Sequence, residues 1–540
     1  MTQDLLFVTK TKDLIDNLKS VCANYGLGND GNEFKIITQV FLYKFLNDKF
    51  SAEVKKQQPN LAAAPNFSDA LTALSEADYE SLLWSLGADV PHLKPHQLLS
   101  ALYNYQNKGD FAKTFDDVLR QIGIENAAIF SVKSSSGAKS ILFDELSQFI
   151  SDPSQRDAFC RALVNKLVEF SFEDMFGQKY DFFATIFEYL IKDYNADSGG
   201  KYAEYYTPHA VARIMAAILV PEGAAVRNAK CYDPSAGSGT LLMSLAHQIG
   251  ERNCTLYSED ISQKSANMLR LNLILNNLTA SIPNIIKTNT VAQPYYLDRR
   301  FDYIVSNPPF KLDFSDFHAD LGVDRFRERF FAGVPNIPKA KRESMAIYLL
   351  FIQHILHNLA DDGKAAVVVP TGFITAQSGI ERKIRERLVG HGWLRGVVSM
   401  PSQIFANTGT NVSVVFIDKS WGERPMVLVD ASKLGTTVKE GKAQRTVLSP
   451  EEEARIISVF NHAEPEADLS VVVSRAEVEA KAYSFSAGQY FEVKMDHVDI
   501  TADEFSGKLS AAQARLAALF AEGTRLDAEI ENQLNGVVYA

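Results

Sequence analysis

The sequence predicts an α/β fold: a mostly parallel sheet with helices on both faces, preceded by an all-helical region and followed by a helical tail. Three observations carry this expectation. Between residues 201 and 420, short β-rich runs alternate with helical stretches, the pattern left by parallel strands joined through crossover helices. One run, Lys230-Cys231-Tyr232, leads into Asp233-Pro234-Ser235-Ala236-Gly237-Ser238-Gly239 and then an apolar-periodic stretch from Leu241 to Ile249, which reads as strand, glycine loop and helix. On either side of this region apolar residues recur at helical spacing instead.

From Lys12 to about Asn195 the helical pattern repeats, as in Phe34, Ile37, Val40, Phe41 and Phe45 and again in Phe159, Leu163 and Leu167, so residues 1–196 are expected to form an all-helical domain. Asp197-Ser198-Gly199-Gly200 is the expected linker. With 540 residues, 46% of them hydrophobic, the chain has enough apolar side chains for two or three cores. The start, Met1 to Leu5, lacks a charged-then-apolar signal pattern, and the most apolar helix, Met345 to Leu359, is interrupted by Gln353, His354 and His357. A soluble cytoplasmic protein with no membrane span is expected. Cys22, Cys160, Cys231 and Cys254 are widely spaced, which argues against a disulfide framework or a zinc site. A formal net charge of −11 excludes a protein that coats nucleic acid by charge alone, so any DNA contact must be local or shared.

In the middle region, Thr207 reads as the N-cap and Pro208 as the first residue of a helix running to about Leu219. Gly237 and Gly239 then allow left-handed backbone and close approach to a ligand, and the helix beginning near Thr240 points free N–H groups toward it. A nucleoside-type cofactor fits such a loop. A dinucleotide fingerprint would need glycine at 242, where Leu stands, and no Gly-Lys-Ser/Thr of a phosphate loop is present. The next strand, Cys254 to Tyr257, ends in Ser258-Glu259-Asp260, about 20 residues past the last glycine, where a carboxylate suits a ribose diol. Strand alternation lets only one of Glu259 and Asp260 face the ligand; the other is expected in solvent.

The run Phe301 to Ser306 reads as a further strand, and it ends in Asn307-Pro308-Pro309-Phe310. Each proline fixes φ and removes an N–H, so the corner is stiff and its carbonyls can accept from outside. The Asn307 side-chain oxygen and the Pro308 carbonyl would take both hydrogens of a planar amine, and Phe310 offers a face for a flat ring. Both motifs fall at carboxyl ends of strands, where open α/β sheets bind ligands. An amine held beside a cofactor in this way is a methyl acceptor.

These residues resemble the S-adenosylmethionine-dependent amino-methyltransferases, a Rossmann-like fold, with Asp-Pro-Ser-Ala-Gly-Ser-Gly as cofactor motif and Asn-Pro-Pro-Phe as catalytic motif. The motif order resembles the gamma class of N6-adenine DNA methyltransferases. Within that class the Tyr-Tyr-Thr-Pro element, both motif forms and the helical flanks resemble the modification subunit of type I restriction-modification systems. The resemblance implies a cofactor site of Tyr206, Thr207, Pro208, Asp233, Ser235, Gly237, Ser238, Gly239 and Asp260, with the acidic residue before Ile261 as ribose ligand and Glu259 as runner-up. It places Asn289 where the family usually has an Asp that holds the cofactor adenine. It nominates Phe405, in Ser399-Met400-Pro401-Ser402-Gln403-Ile404-Phe405, as a second stacking face for the target base, beside the alternative of a core aromatic. The implied partners are DNA, a specificity subunit, a second modification subunit and a restriction/translocase subunit.

After the proline corner, Arg325, Arg327, Arg329, Lys339, Lys341 and Arg342 face only Asp324 and Glu328 in sequence, which reads as a phosphate-contacting patch or a solvated loop. Ala365 to Pro370, Gly396 to Met400 and Val412 to Ile417 are expected strands. His354 and His357 share a helix face without a third ligand and are read as ordinary histidines, and no metal is expected. Residues 421–540 form a C-terminal region ending in an imperfect heptad seam, Leu509, Leu516, Gly523, Ile530 and Ala512, Leu519, Leu526, Gln533, suited to a partner helix or to its own domain. Competing readings are an RNA guanine-amino methyltransferase, a protein-glutamine methyltransferase, and a non-catalytic cofactor-binding scaffold; the scaffold would carry a damaged catalytic tetrapeptide, and Asn307 is intact.

Overall fold

The computed structural model describes residues 3–28, 31–134, 137, 142–176, 185–190, 207–322, 327–405, 411–440, 443–491 and 500–535. The expected linker at 197–200, Tyr206 and Arg325 lie outside these residues. The chain divides into two compact units, Met1–Tyr490 and Phe491–Ala540.

The first unit is built around a sheet whose strands, in chain order, are β1 (Lys133–Ser134), β2 (Ala229–Asp233), β3 (Cys254–Asp260), β4 (Ile285–Lys287), β5 (Phe301–Ser306), β6 (Leu359–Pro370), β7 (Leu394–Ser399), β8 (Val412–Asp418), β9 (Met426–Asp430) and, after a separate hairpin of β10 (Thr436–Glu440) and β11 (Ala443–Val447), β12 (Ser470–Val473). Their order across the sheet is β1-β4-β3-β2-β5-β6-β8-β7-β9-β12. All neighbours from β1 to β6 are parallel, as is β7 with β9, whereas β8 runs antiparallel between β6 and β7 and β12 runs antiparallel on β9. From β2 the chain winds outward through β3 to β4 on one side, then returns to place β5 on the other. The switch point therefore lies between the carboxyl ends of β2 and β5.

The central strands are buried on both faces, as continuous apolar runs such as Val367-Val368-Val369 and Val412 to Ile417 require. The helices that cover them have strong apolar faces: His209–Leu219 buries Val211, Ile214, Met215 and Ile218, and Thr240–Ile249 buries Leu241, Leu242 and Leu245. The helix expected from Thr207 begins at His209, with Pro208 in the N-cap position. The helix expected over Met345–Leu359 is shorter, Tyr348–Asn358: Met345 is extended after a 3₁₀ turn, and Leu359 opens β6.

Among its described residues the N-terminal region is helical as expected except for β1, which pairs with β4 and so joins that region to the sheet edge. A second tie is the buried Lys49, whose ammonium donates to the Asp89 carboxylate at 2.8 Å and to Asn277 Oδ1 at 2.9 Å. At the other end, the boundary expected at residue 420 falls between β8 and β9 of one continuous sheet, so a cut there would remove hydrogen-bonded strands.

Among its described residues the second unit contains one helix, Ala502–Asn535, of 34 residues. It starts at a reciprocal cap: Thr501 Oγ1 accepts from Glu504 N at 3.2 Å, and Glu504 Oε2 accepts from Thr501 N at 3.0 Å. Its apolar stripe, including Leu509, Leu516, Leu519, Leu526 and Ile530, is exposed throughout.

Candidate active site

A cavity of about 280 Å³ opens at the switch point. Its polar wall carries Thr207, Asp233, Ser235, Gly237, Ser238, Asp260, Asn289 and Asn307; its apolar wall carries Leu312, Phe317, Ile347 and Phe351. The two sequence motifs thus meet in one cavity.

The glycine loop is shaped by its backbone. Gly237 has φ +53° and Gly239 φ +83°, the latter capping the helix Thr240–Ile249. A Cβ on Gly239 would lie 2.2 Å from Leu269 Cδ1, so this glycine serves helix packing, and it is not a lining residue. Asp260 braces the loop from β3: one carboxylate oxygen accepts from Gly237 N at 2.9 Å and the other from Ser262 N at 2.8 Å. Glu259 points the opposite way, as strand alternation demands, but not into solvent. It is fully buried, and Oε1 accepts from Tyr295 N at 2.9 Å and Tyr296 N at 2.8 Å. Burial pushes its carboxyl up to about 7.

Asp233, at the end of β2, accepts from Ser235 N at 2.9 Å, and burial, with the nearby Asp260 adding to it, pushes its carboxyl up to about 8. Ser235 Oγ lies 2.7 Å from Ser306 Oγ, which ties the glycine loop to the residue before Asn307. Asn289 Oδ1 accepts from Val291 N and Ala292 N, both at 3.1 Å, so its side chain shapes its own turn at the cavity margin.

At the proline corner, Asn307 Nδ2 donates to Thr207 Oγ1 at 3.2 Å. With its nitrogen toward the Thr-Pro element, the amide leaves its oxygen as the acceptor edge. Asn307 and Pro309 line the cavity, whereas Pro308 is buried and Phe310 packs partly buried with its ring edge-on to Tyr348, centroids 6.2 Å apart. Extended backbone alternates its side chains in just this way. Phe405 is 7% exposed within the main core and is not a lining residue, so it presents no stacking face to the cavity.

Sequence reasoning missed the apolar wall. Its members come from a loop, the 3₁₀ helix Ser315–Gly322 and one end of an α-helix, and only Ile347 and Phe351, one turn apart, left a periodic trace. Arg329 was counted in a basic patch but is 1% exposed; Arg327, Lys339, Lys341 and Arg342 are on the surface. His354 is fully buried, its Nε2 3.1 Å from the Tyr232 hydroxyl, and no metal-binding cluster exists among the described residues.

The model of a family described as N-6 DNA methylase matches residues 178–498. The chain belongs to this family. Its reaction is therefore methyl transfer to adenine N6 in DNA, and the cavity at the switch point is where this N-6 DNA methylase brings its two motifs together. Among relatives, the type I restriction enzyme MpnII methylase subunit of Mycoplasma pneumoniae is 26% identical over 499 residues, 87% of this chain and 88% of the relative. The HindI methylase subunit of Haemophilus influenzae is 22% identical over 66% of this chain and 79% of its own length. A solved type I restriction-modification methyltransferase subunit from Streptococcus thermophilus shares the fold, with a TM-score of 0.72 at 20% identity, covering 90% of this chain and all of that one. Among the described residues no helix is long and apolar enough to cross a membrane.

Proposed function

We propose that this chain transfers the methyl group of S-adenosylmethionine to the N6 amine of an adenine flipped out of DNA, as the modification subunit of a type I restriction-modification system. The observation that carries this reading is that Asn307 lines the same cavity as Gly237 and Asp260. The relatives named as type I methylase subunits support the subunit role, since the likeness spans 87% of the chain rather than the catalytic region alone.

The cavity fits the cofactor's chemistry. Asp260 and Asn289 offer polar partners to a ribose diol and a ring nitrogen, Leu312, Phe317, Ile347 and Phe351 give apolar walls for a flat ring, and Asp233, Ser235 and Thr207 suit a charged amino-acid end. Ser238 and Gly237 supply backbone at the helix start, while Gly239, Pro208 and, in the family pattern, Tyr206 hold the surrounding elements. When bound, S-adenosylmethionine supplies an electrophilic methyl on sulfur.

The chain's own work is positioning. The adenine amine is a poor nucleophile because its lone pair is delocalised into the ring. The Asn307 side-chain oxygen and the Pro308 carbonyl accept its two hydrogens, which favours a pyramidal nitrogen with its lone pair toward the methyl. The corner is rigid before the base arrives, so little reorganisation is needed. Phe310 is the stacking candidate by family likeness, and it would have to turn from its present packing against Tyr348 to meet the base.

With a net charge of −11, DNA binding is shared with a specificity subunit, and the exposed stripe on Ala502–Asn535 suits a helix of that partner. A second modification subunit and a restriction/translocase subunit complete the proposed assembly. The test is tritiated-methyl incorporation by the chain co-expressed with its neighbouring specificity subunit. Label at N6 of DNA adenine is expected; label in RNA or protein but never in DNA overturns the substrate assignment.

A further inference from the structure

Among the described residues of the basic patch after the proline corner, Arg329 is the one that turns inward, and it holds two residues that line the cavity. Its Nη1 donates to the Thr290 carbonyl at 3.2 Å and its Nη2 donates to the Val291 carbonyl. Thr290 and Val291 both line the cavity, directly after Asn289. The same Nη1 lies 3.4 Å from His354 Nδ1, and His354 Nε2 lies 3.1 Å from the Tyr232 hydroxyl on β2. A guanidinium can only donate, so Nδ1 is the acceptor and the ring's proton sits on Nε2, facing Tyr232. Burial and the adjacent Arg329 charge hold His354 well below its ordinary pKa, which keeps that nitrogen an acceptor.

Apolar packing repeats the same connection. Val291, Phe314, Phe330, Ile347 and Phe351 belong to a small core of their own, separate from the main one, with Phe317 packed against it. The turn after β4, the segment after the proline corner and the helix Tyr348–Asn358 therefore share one cluster, and Arg329 is its polar pin. Thr290 Oγ1 donates to the Pro234 carbonyl at 2.8 Å, which carries the constraint into the glycine loop.

The geometry points to Arg329 as a positioning residue for the cofactor: by fastening the carbonyls of Thr290 and Val291 to the helix that carries Phe351, it sets the spacing between the Asn289 turn and the apolar wall. This rests on the cofactor reading given above. Nothing in it requires contact between Arg329 and the reacting atoms. Loss of the guanidinium frees two carbonyls at the cavity margin and lets the Asn289 turn relax, which weakens cofactor binding before it touches the transfer step.

Arg329→Met keeps the unbranched apolar stem of the side chain and removes its donors; Arg329→Lys keeps the charge but cannot serve both carbonyls in a fixed fork. Calorimetry of the full chain with S-adenosylhomocysteine as probe is expected to show affinity falling about tenfold or more for R329M and several-fold for R329K. Methyl transfer by the complex with its specificity subunit should show a raised KM for cofactor with kcat largely recovered at saturation. Faster amide exchange over residues 289–296 should accompany it. Wild-type affinity in R329M, or a fall in kcat at unchanged KM, overturns the assignment. Should R329M fail to fold, R329K decides: wild-type affinity together with wild-type exchange at 289–296 overturns it. Failure of the unaltered chain to bind the probe would instead refute the cofactor reading itself.

Discussion

The two strand ends that build the cavity solve opposite problems with opposite residues. After β2 the chain must bend through left-handed backbone and pack a helix against Leu269, and only residues without a Cβ do both at Gly239. After β5 its proposed task is to present acceptors to an amine and hold them still, and prolines suit that by removing N–H groups and fixing φ. One end is built by absent side chains and the other by absent donors. A cofactor needs close backbone approach, whereas a weak nucleophile needs a corner that does not move. The serine pair Ser235 and Ser306 links the ends, so each solution depends on the other staying in place.

The sharpest break in that comparison is Asn307→Ala. On the proposed reading it removes the acceptor that holds the target amine while leaving the glycine loop intact, so transfer should fall by about 10²–10³-fold with cofactor affinity preserved. Single-turnover transfer and calorimetry on the same preparation check it; equal losses of both would make Asn307 structural. Gly239→Ala attacks the other end. With φ at +83° and Leu269 Cδ1 2.2 Å from the new Cβ, the chain should lose about 1–3 kcal/mol of stability, read from denaturant unfolding. Unchanged stability would show that Leu269 can move aside and that the loop is not as tightly packed as its geometry indicates.

Asp260→Asn keeps the shape but turns a carboxylate that accepts from Gly237 N and Ser262 N into an amide with one oxygen. Cofactor affinity should fall about tenfold, with kcat at saturation little changed. The smallest effect concerns pH. Asp233, pushed up to about 8 by burial, keeps a proton in the folded chain that the unfolded chain releases near 4, so stability should decline as pH rises through that window. Asp233→Asn should flatten the decline in melting temperature between mildly acidic and mildly alkaline buffer, leaving the part contributed by Glu259, whose carboxyl stands at about 7.

Much of the site was readable because its chemistry is local. Asp233 to Gly239 and Asn307 to Phe310 each sit at the end of one strand, and the strands themselves are apolar runs bounded by turn residues. What stayed hidden was long-range. β1 is a two-residue strand whose existence depends on β4 more than 150 residues later, and β9 and β12 lie in a region where short strands and helices carry too little periodicity to stand out. Arg329 looked like surface charge because its partners are backbone carbonyls, which leave no trace in composition. Glu259 was expected in solvent for the same reason: its partners are the amides of Tyr295 and Tyr296.

By itself, then, the amino-acid order determined the class of fold, the two strand-end motifs and the long C-terminal amphipathic helix, because turn chemistry and periodicity are properties of neighbours along the chain. Tertiary structure decided that Asp260 lines the cavity while Glu259 is buried away from it, which of the four corner residues face the cavity, and that Phe405 and Arg329 are interior. Those choices depend on which strand lies beside β2 and which helix covers it, and burial is a property of the assembled layers rather than of any segment.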